Sequence, residues 1–181
     1  MATTPTLFSI DRYLRTSYHP DADYVDGEIE ERNLGEHEHA RIQALISTLF
    51  VNHEDAWSAL AVVEQRIRIG SSRVRICDVA VLRADAPYEA VTTTPPLICI
   101  EILSPEDRFP RAKLVLADYF SLGVPNIWLI DPIRHAAYTF DATGLHIADP
   151  TNLRVPGTPI HLDLTLPFAK LDQWIARKPQ P

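Results

Sequence analysis

Two acidic residues each interrupt an apolar run. Ile76-Cys77-Asp78-Val79-Ala80-Val81-Leu82 carries the first, and Leu97-Ile98-Cys99-Ile100-Glu101-Ile102-Leu103 the second, followed at once by Ser104-Pro105. Charged side chains are seldom buried unless they are paired or bind a metal. Two carboxylates on neighbouring strands therefore predict either a divalent-cation site or a compensated ion pair with a nearby arginine. A hard cation such as Mg²⁺ takes oxygen ligands, often one or two carboxylates with water and substrate phosphate. That donor set suits phosphodiester hydrolysis.

The elements that must position these acids follow from periodicity. A short helix is predicted over Ser9 to Arg15, capped by Ser9, then a strand near Tyr24 to Arg32. Ile42, Leu45, Ile46, Leu49 and Phe50 recur at helical spacing, predicting a helix from Glu38 to Asn52. Strands follow over Ala59–Ile69, Val74–Leu82 and Leu97–Leu103, with a Thr- and Pro-rich loop before the last. A second helix spans 111–122, ended by Gly123, and Asn126–Asp131 is a strand stopped by Pro132. His135 to Phe140 pairs with it as a hairpin. Leu162, Leu164 and Leu166 alternate as one more strand would, and Pro167 to Ala176 reads as a terminal helix. The order predicts one α/β domain over residues 1–181 with a mixed sheet.

Composition narrows the class. At 181 residues, 46% hydrophobic and 23% charged, the chain reads as a soluble globular domain. A net charge of −7 argues against broad adhesion to nucleic acid but allows a local basic groove. Arg66, Arg68, Arg73 and Arg75 cluster before the first acid, and Arg108, Arg111 and Lys113 follow the second. Cys77 and Cys99 read as buried free thiols. No signal peptide and no apolar span of about 20 residues is evident, so a cytoplasmic location and no membrane partner are expected. A Gly-rich phosphate loop, a Cys-x-x-Cys pattern and a Gly-x-Ser-x-Gly elbow are missing from the sequence.

The order of elements, with acids on successive strands, resembles the restriction-endonuclease-like fold of the PD-(D/E)XK nucleases, and within them the Uma-type family. The resemblance is carried by Tyr24-Val25-Asp26-Gly27-Glu28, Glu38-His39-Ala40-Arg41-Ile42, Val63-Glu64-Gln65-Arg66 and Asp78-Val79-Ala80-Val81. It continues through Pro96 to Arg108, Asp118-Tyr119, and Gly123-Val124-Pro125-Asn126-Ile127-Trp128-Leu129-Ile130-Asp131-Pro132. It implies a mixed sheet flanked by helices, a nuclease core at about 24–141, and an extra C-terminal hairpin and short helix. It further implies that Asp78 and Glu101, with the carbonyl of Ile102, ligate Mg²⁺ or Mn²⁺, and that DNA is the substrate.

The chain departs from that pattern at two positions. Cys77 stands where many members have Pro before the strand Asp. Leu103 stands where the superfamily has a catalytic Lys, which Uma-type members move to the following helix. Lys113 is the nearest lysine and is taken as the catalytic one. An ungapped alignment instead puts Val115 there, about 200° of helix rotation from Lys113. Arg111 shares Val115's face and can supply charge, although it stays protonated.

Glu28, His39, Gln65 and Arg111 are accessory candidates; Glu28 reads equally as a solvent-facing hairpin acid and Gln65 as ordinary strand-edge polarity, while His39 could take a polar role at the cleft edge. Asp131 reads as a strand terminator, and Trp128 and Trp174 as core. The sequence thus predicts a Mg²⁺-dependent endodeoxyribonuclease, weakened or inactive if the lysine is displaced, or else a noncatalytic nucleic-acid-binding or assembly module of the same fold. A homodimer is expected, since symmetric cleavage of two strands calls for two sites. Tyr138, Phe140, Leu162, Leu164, Leu166 and Phe168 could form its interface or cover the sheet within one subunit.

Overall fold

A computed structural model describes residues 8–32, 37–104 and 109–177. Arg108, expected to add positive charge beyond the second acid, lies outside them. The chain opens with α1 (Ile10–Leu14), whose N-cap Ser9 accepts a hydrogen bond from the Arg12 amide at 3.2 Å. Next come β1 (Ala22–Val25) and β2 (Glu28–Glu31), where one strand was expected. The Asp26-Gly27 turn between them explains the difference. Both residues hold positive φ, 49° and 97°, as a two-residue hairpin turn of the mirror-image type requires.

Helix α2 (His37–Val51) and the short α3 (Glu54–Trp57) lead into the long hairpin β3 (Ala59–Ile69) and β4 (Arg73–Arg83). β5 (Ile98–Ile102), α4 (Phe109–Leu122) and β6 (Asn126–Asp131) form a crossover unit, its strands parallel. Gly123 ends α4 with φ 93°, and its amide bonds back to the Phe120 carbonyl. β7 (Ala136–Asp141) returns antiparallel to β6, and β8 (Gly144–Ala148) adds an edge. β9 (Leu153–Arg154) pairs with β10 (His161–Leu162) before α5 (Thr165–Ile175). The expected strand through Leu166 stops at Leu162, because Leu166 already lies in α5.

The sheet runs β2-β1-β4-β5-β6-β7-β8, with β3 along the other edge of β4. One apolar layer joins it to α2 and α5 through Ile42, Ile46, Phe50, Val79, Ile100, Trp128, Leu164 and Phe168. The opposite layer packs α4 through Leu116 and Tyr119 against Cys77, Cys99 and Leu129. Both cysteines are buried and free. Leu162, Leu164 and Phe168 are consumed in the first layer, while Tyr138 and Phe140 pack against the second, so most of the expected interface residues cover the sheet within one subunit. Asp131 caps the turn after β6, accepting from the Ile133 and Arg134 amides, as a strand terminator should. Among the described residues, no helix is long and apolar enough to cross a membrane.

One detail of topology makes the site. β3 follows β4 along its length, but the other edge of β4 is shared. β1 pairs only with Arg73 and Val74 there, and β5 only with Val79 to Val81. Among the described residues no strand pairs with that edge from Arg75 to Asp78, and the sheet parts there.

Candidate active site and metal centre

The parting opens a cavity of about 360 Å³, into which Asp78 and Glu101 both face. The β4–β5 ladder ends at Val79 opposite Ile100, one residue before both acids. Backbone groups exposed by the gap must find other partners. The Ile76 amide donates to Asp23 Oδ1 at 3.0 Å, and the Asp78 carbonyl accepts from Gln43 Nε2 at 2.9 Å. Across the hairpin the β3–β4 ladder skips Glu64, which stands opposite Asp78 with a left-handed φ of 50°. A non-glycine residue rarely holds this conformation unless its surroundings fix it. Arg32 and Gln43 do so, donating to the two Glu64 carboxylate oxygens, each at 2.6 Å.

Asp78 is 1% exposed and fully engaged. Its Oδ2 accepts from the Ile102 amide at 2.7 Å and meets His39 Nε2 at 3.1 Å, while Oδ1 takes the Arg32 guanidinium. Burial alone would push its pKa up. The bond from His39, the Arg32 charge and the Ile102 amide outweigh that, holding the carboxyl below its usual 3.8. Glu101 is half-buried and accepts from the Tyr119 hydroxyl at 2.7 Å. Burial first, then the charge of Asp78, drives its pKa well above 4.5 against the opposing pull of Arg32 and Tyr119. The two acids resist ionising together without added positive charge. His39 moves the other way: burial disfavours its cation, but the bond to Asp78 wins and raises its pKa above 6.5.

The accessory residues divide. His39 and Arg111 line the cavity, and Arg111 Nη2 donates to the Glu31 carbonyl at 2.9 Å. Gln65 faces elsewhere, bonded to Thr92 Oγ1 at 3.0 Å, and its neighbour Glu64 holds the cleft position. Glu28 is exposed on β2 and lies off the cavity wall. Lys113, expected as the catalytic lysine, is exposed on α4 and also off the wall; Val115 and Arg111 occupy it instead, as the helix rotation requires.

Sequence reasoning missed Arg32, Gln43 and the holding role of Tyr119. Gln43 carried a signal, four residues after His39 and therefore on the same helix face. Arg32 carried none, since its partners lie 32 and 46 residues away.

A cation is tested by the donors present. Two carboxylates and a carbonyl are hard oxygen donors of the kind Mg²⁺ and Mn²⁺ take. Among the described residues, the second Glu101 oxygen accepts no hydrogen bond. The competitor is Arg32, whose guanidinium already neutralises Asp78. No cluster of three or more acidic, His or Cys ligands occurs among the described residues, so such an ion would depend on water and substrate for the rest of its shell.

A mixed sheet that splays at two facing acids, with helices on both sides, is the restriction-endonuclease-like architecture. A crystal structure described as a putative nuclease belonging to DUF820, from Anabaena variabilis ATCC 29413, shares this fold with a TM-score of 0.79. The two are 20% identical over 91% of this chain and 99% of that one. Residues 11–169 match the family model Uma2, described as "Putative restriction endonuclease", and the chain belongs to that family. No curated protein matches it.

Proposed function

We propose that this chain is a divalent-metal-dependent endodeoxyribonuclease hydrolysing phosphodiester bonds. The observation that carries the reading is the convergence of Asp78 and Glu101 in one cavity where the β4–β5 ladder ends. Asp78, Glu101 and the Ile102 carbonyl would hold Mg²⁺ or Mn²⁺. Such an ion supplies charge neutralisation at the attacked phosphate and lowers the pKa of bound water. The chain's own residues do the positioning. His39 and the Ile102 amide fix Asp78, and the Tyr119 hydroxyl fixes Glu101. Arg111 on the cavity wall can offset charge on nonbridging phosphate oxygens but cannot accept a proton.

A noncatalytic binding module of the same fold is favoured by one observation: among the described residues, no lysine lines the cavity. Plasmid incubated with the purified protein and Mg²⁺ or Mn²⁺ separates the two. Nicking by wild type, lost in Asp78→Ala/Glu101→Ala, is expected. Equal nicking by both proteins would point to a contaminant, and none by either would favour the binding module.

Cleavage of both strands of a duplex calls for two such cavities, and a two-fold dimer is part of this reading. With most of the expected interface residues consumed internally, the surface left to it includes Leu166 on α5 and Ile147 on the β8 edge, both largely exposed. Light scattering at micromolar concentration is expected to give twice the monomer mass; the monomer mass would remove the dimer from the reading.

A further inference from the structure

The arginine cluster of the sequence does not form a basic groove. Arg73 and Arg75 are bound to Asp26, Asp23 and Asp118, and Arg66 donates to the carbonyls of Leu14 and Thr16. Positive charge gathers elsewhere. A second groove lies between α2 and α5, lined by His37, Arg41, Lys170, Trp174 and Arg177, with no acidic residue among the described residues of its wall. His37, Arg41 and Ala44 recur at helical spacing on α2. Lys170, Gln173, Trp174 and Arg177 do the same along α5 and just past its end. Each helix thus turns one stripe toward the groove.

Three features select an occupant. The first is charge: Arg41, Lys170 and Arg177 make no ion pair with any described residue, in a chain of net charge −7. The second is Trp174, which sequence reasoning placed in the core. It is 40% exposed and meets His37 edge-on at 5.4 Å. The third is continuity, because Ala40 of α2 lines both this groove and the acid-walled cavity. That cavity is lined by Asp21, Asp23, Glu64, Asp78 and Glu101, and of its cations Arg32 is already engaged by Glu64 and Asp78, which leaves mainly Arg111 to meet a phosphodiester chain. A strand whose scissile bond lies there needs positive charge beside it.

We infer that the α2–α5 groove binds the DNA flank next to the cleaved bond, with Arg41, Lys170 and Arg177 on its phosphates and the Trp174 indole against the strand. The inference rests on the nuclease reading and adds the path of the substrate. Phosphate contacts give affinity and register without sequence information, so this groove serves DNA of any sequence.

Two readouts test it on the full chain. Trp57 and Trp128 are 9% and 2% exposed, so acrylamide quenching reports mainly Trp174, with Trp174→Phe as control. A short fluorescent duplex should protect Trp174 from quenching. In Lys170→Ala/Arg177→Ala, the salt dependence of duplex binding, followed by anisotropy, should lose about 0.9 in log–log slope per phosphate contact removed, about 2 in all. Both side chains are exposed, and matching melting curves would confirm that the variant folds. Wild type that binds and nicks DNA, with unchanged quenching and an unchanged variant slope, overturns the groove and leaves the nuclease reading standing. Wild type that neither binds nor nicks overturns both.

Discussion

Replacing Arg75 with Met is expected to cost the fold about 3–5 kcal/mol, a large share of the roughly 5–15 kcal/mol that holds a typical domain together. Arg75 is 3% exposed and donates to Asp118 at 2.8 Å and to Asp23 and Glu30 at 3.0 Å. Asp23 and Asp118 are themselves buried, so among the described residues removing the cation leaves Asp23 with the Ile76 amide as its remaining hydrogen-bond donor and Asp118 with Arg73 alone. The urea midpoint measures the loss, and adding Asp23→Asn and Asp118→Asn to Arg75→Met should recover most of it. Acid should recover part as well. Burial, against the pull of Arg75, Arg32 and the Ile76 amide, already holds the Asp23 pKa above 3.8. A carboxyl raised in the folded state favours folding fully below its unfolded pKa, and that contribution is lost as pH rises through the folded value. Without Arg75 the folded value climbs further. The variant's deficit should therefore shrink from neutral to mildly acidic pH; a deficit independent of pH would mean that Asp23 is not the stranded group.

Mn²⁺ at about a hundredfold excess over Kd should stabilise wild type by about 2.7 kcal/mol, or roughly 5–10 °C in melting temperature for a domain of this size. Asp78→Asn should lose that gain. It should also melt lower without metal, because Arg32, 19% exposed at its side chain, then faces a neutral amide. The ion pair is present on Asp78, and the proposed metal site would share the same carboxylate. Arg32→Gln separates their contributions: its metal-free melting temperature should fall, and its Mn²⁺-induced rise should exceed that of wild type, since the competing cation is gone. Wild type that melts identically with and without Mn²⁺ would leave Asp78 a structural ion-pair partner.

The strands bearing Asp78 and Glu101 were legible because an apolar run of that length has few other places to go, and a lone acid within it demands a partner. The Asp26-Gly27 hairpin was missed: its turn residues signal it, but Tyr24 to Arg32 read as one strand. What periodicity could not supply was the gap along β4. It depends on where β1 and β5 stop pairing, a matter of how separate segments meet. Arg32 and Glu64 acquire their roles only through that gap. Lys113 shows the converse. Residue type suggested it, and the angular spacing of a helix put it on the wrong side.

The burial of Asp78 also bears on how the chain finds its strand alignment. Its partners lie 46, 39 and 24 residues away, at Arg32, His39 and Ile102, and none is local. A slip of β4 by one residue exchanges the two faces of the strand. Asp78 would then leave its donors and enter apolar packing, where an unpaired carboxylate is heavily penalised. Val79 and Ala80 could trade layers at little cost; Asp78 cannot. One acid in an otherwise interchangeable Ile-Cys-Val-Ala-Val run thus selects the correct register from its neighbours, and the residue that would serve the chemistry also proofreads the fold.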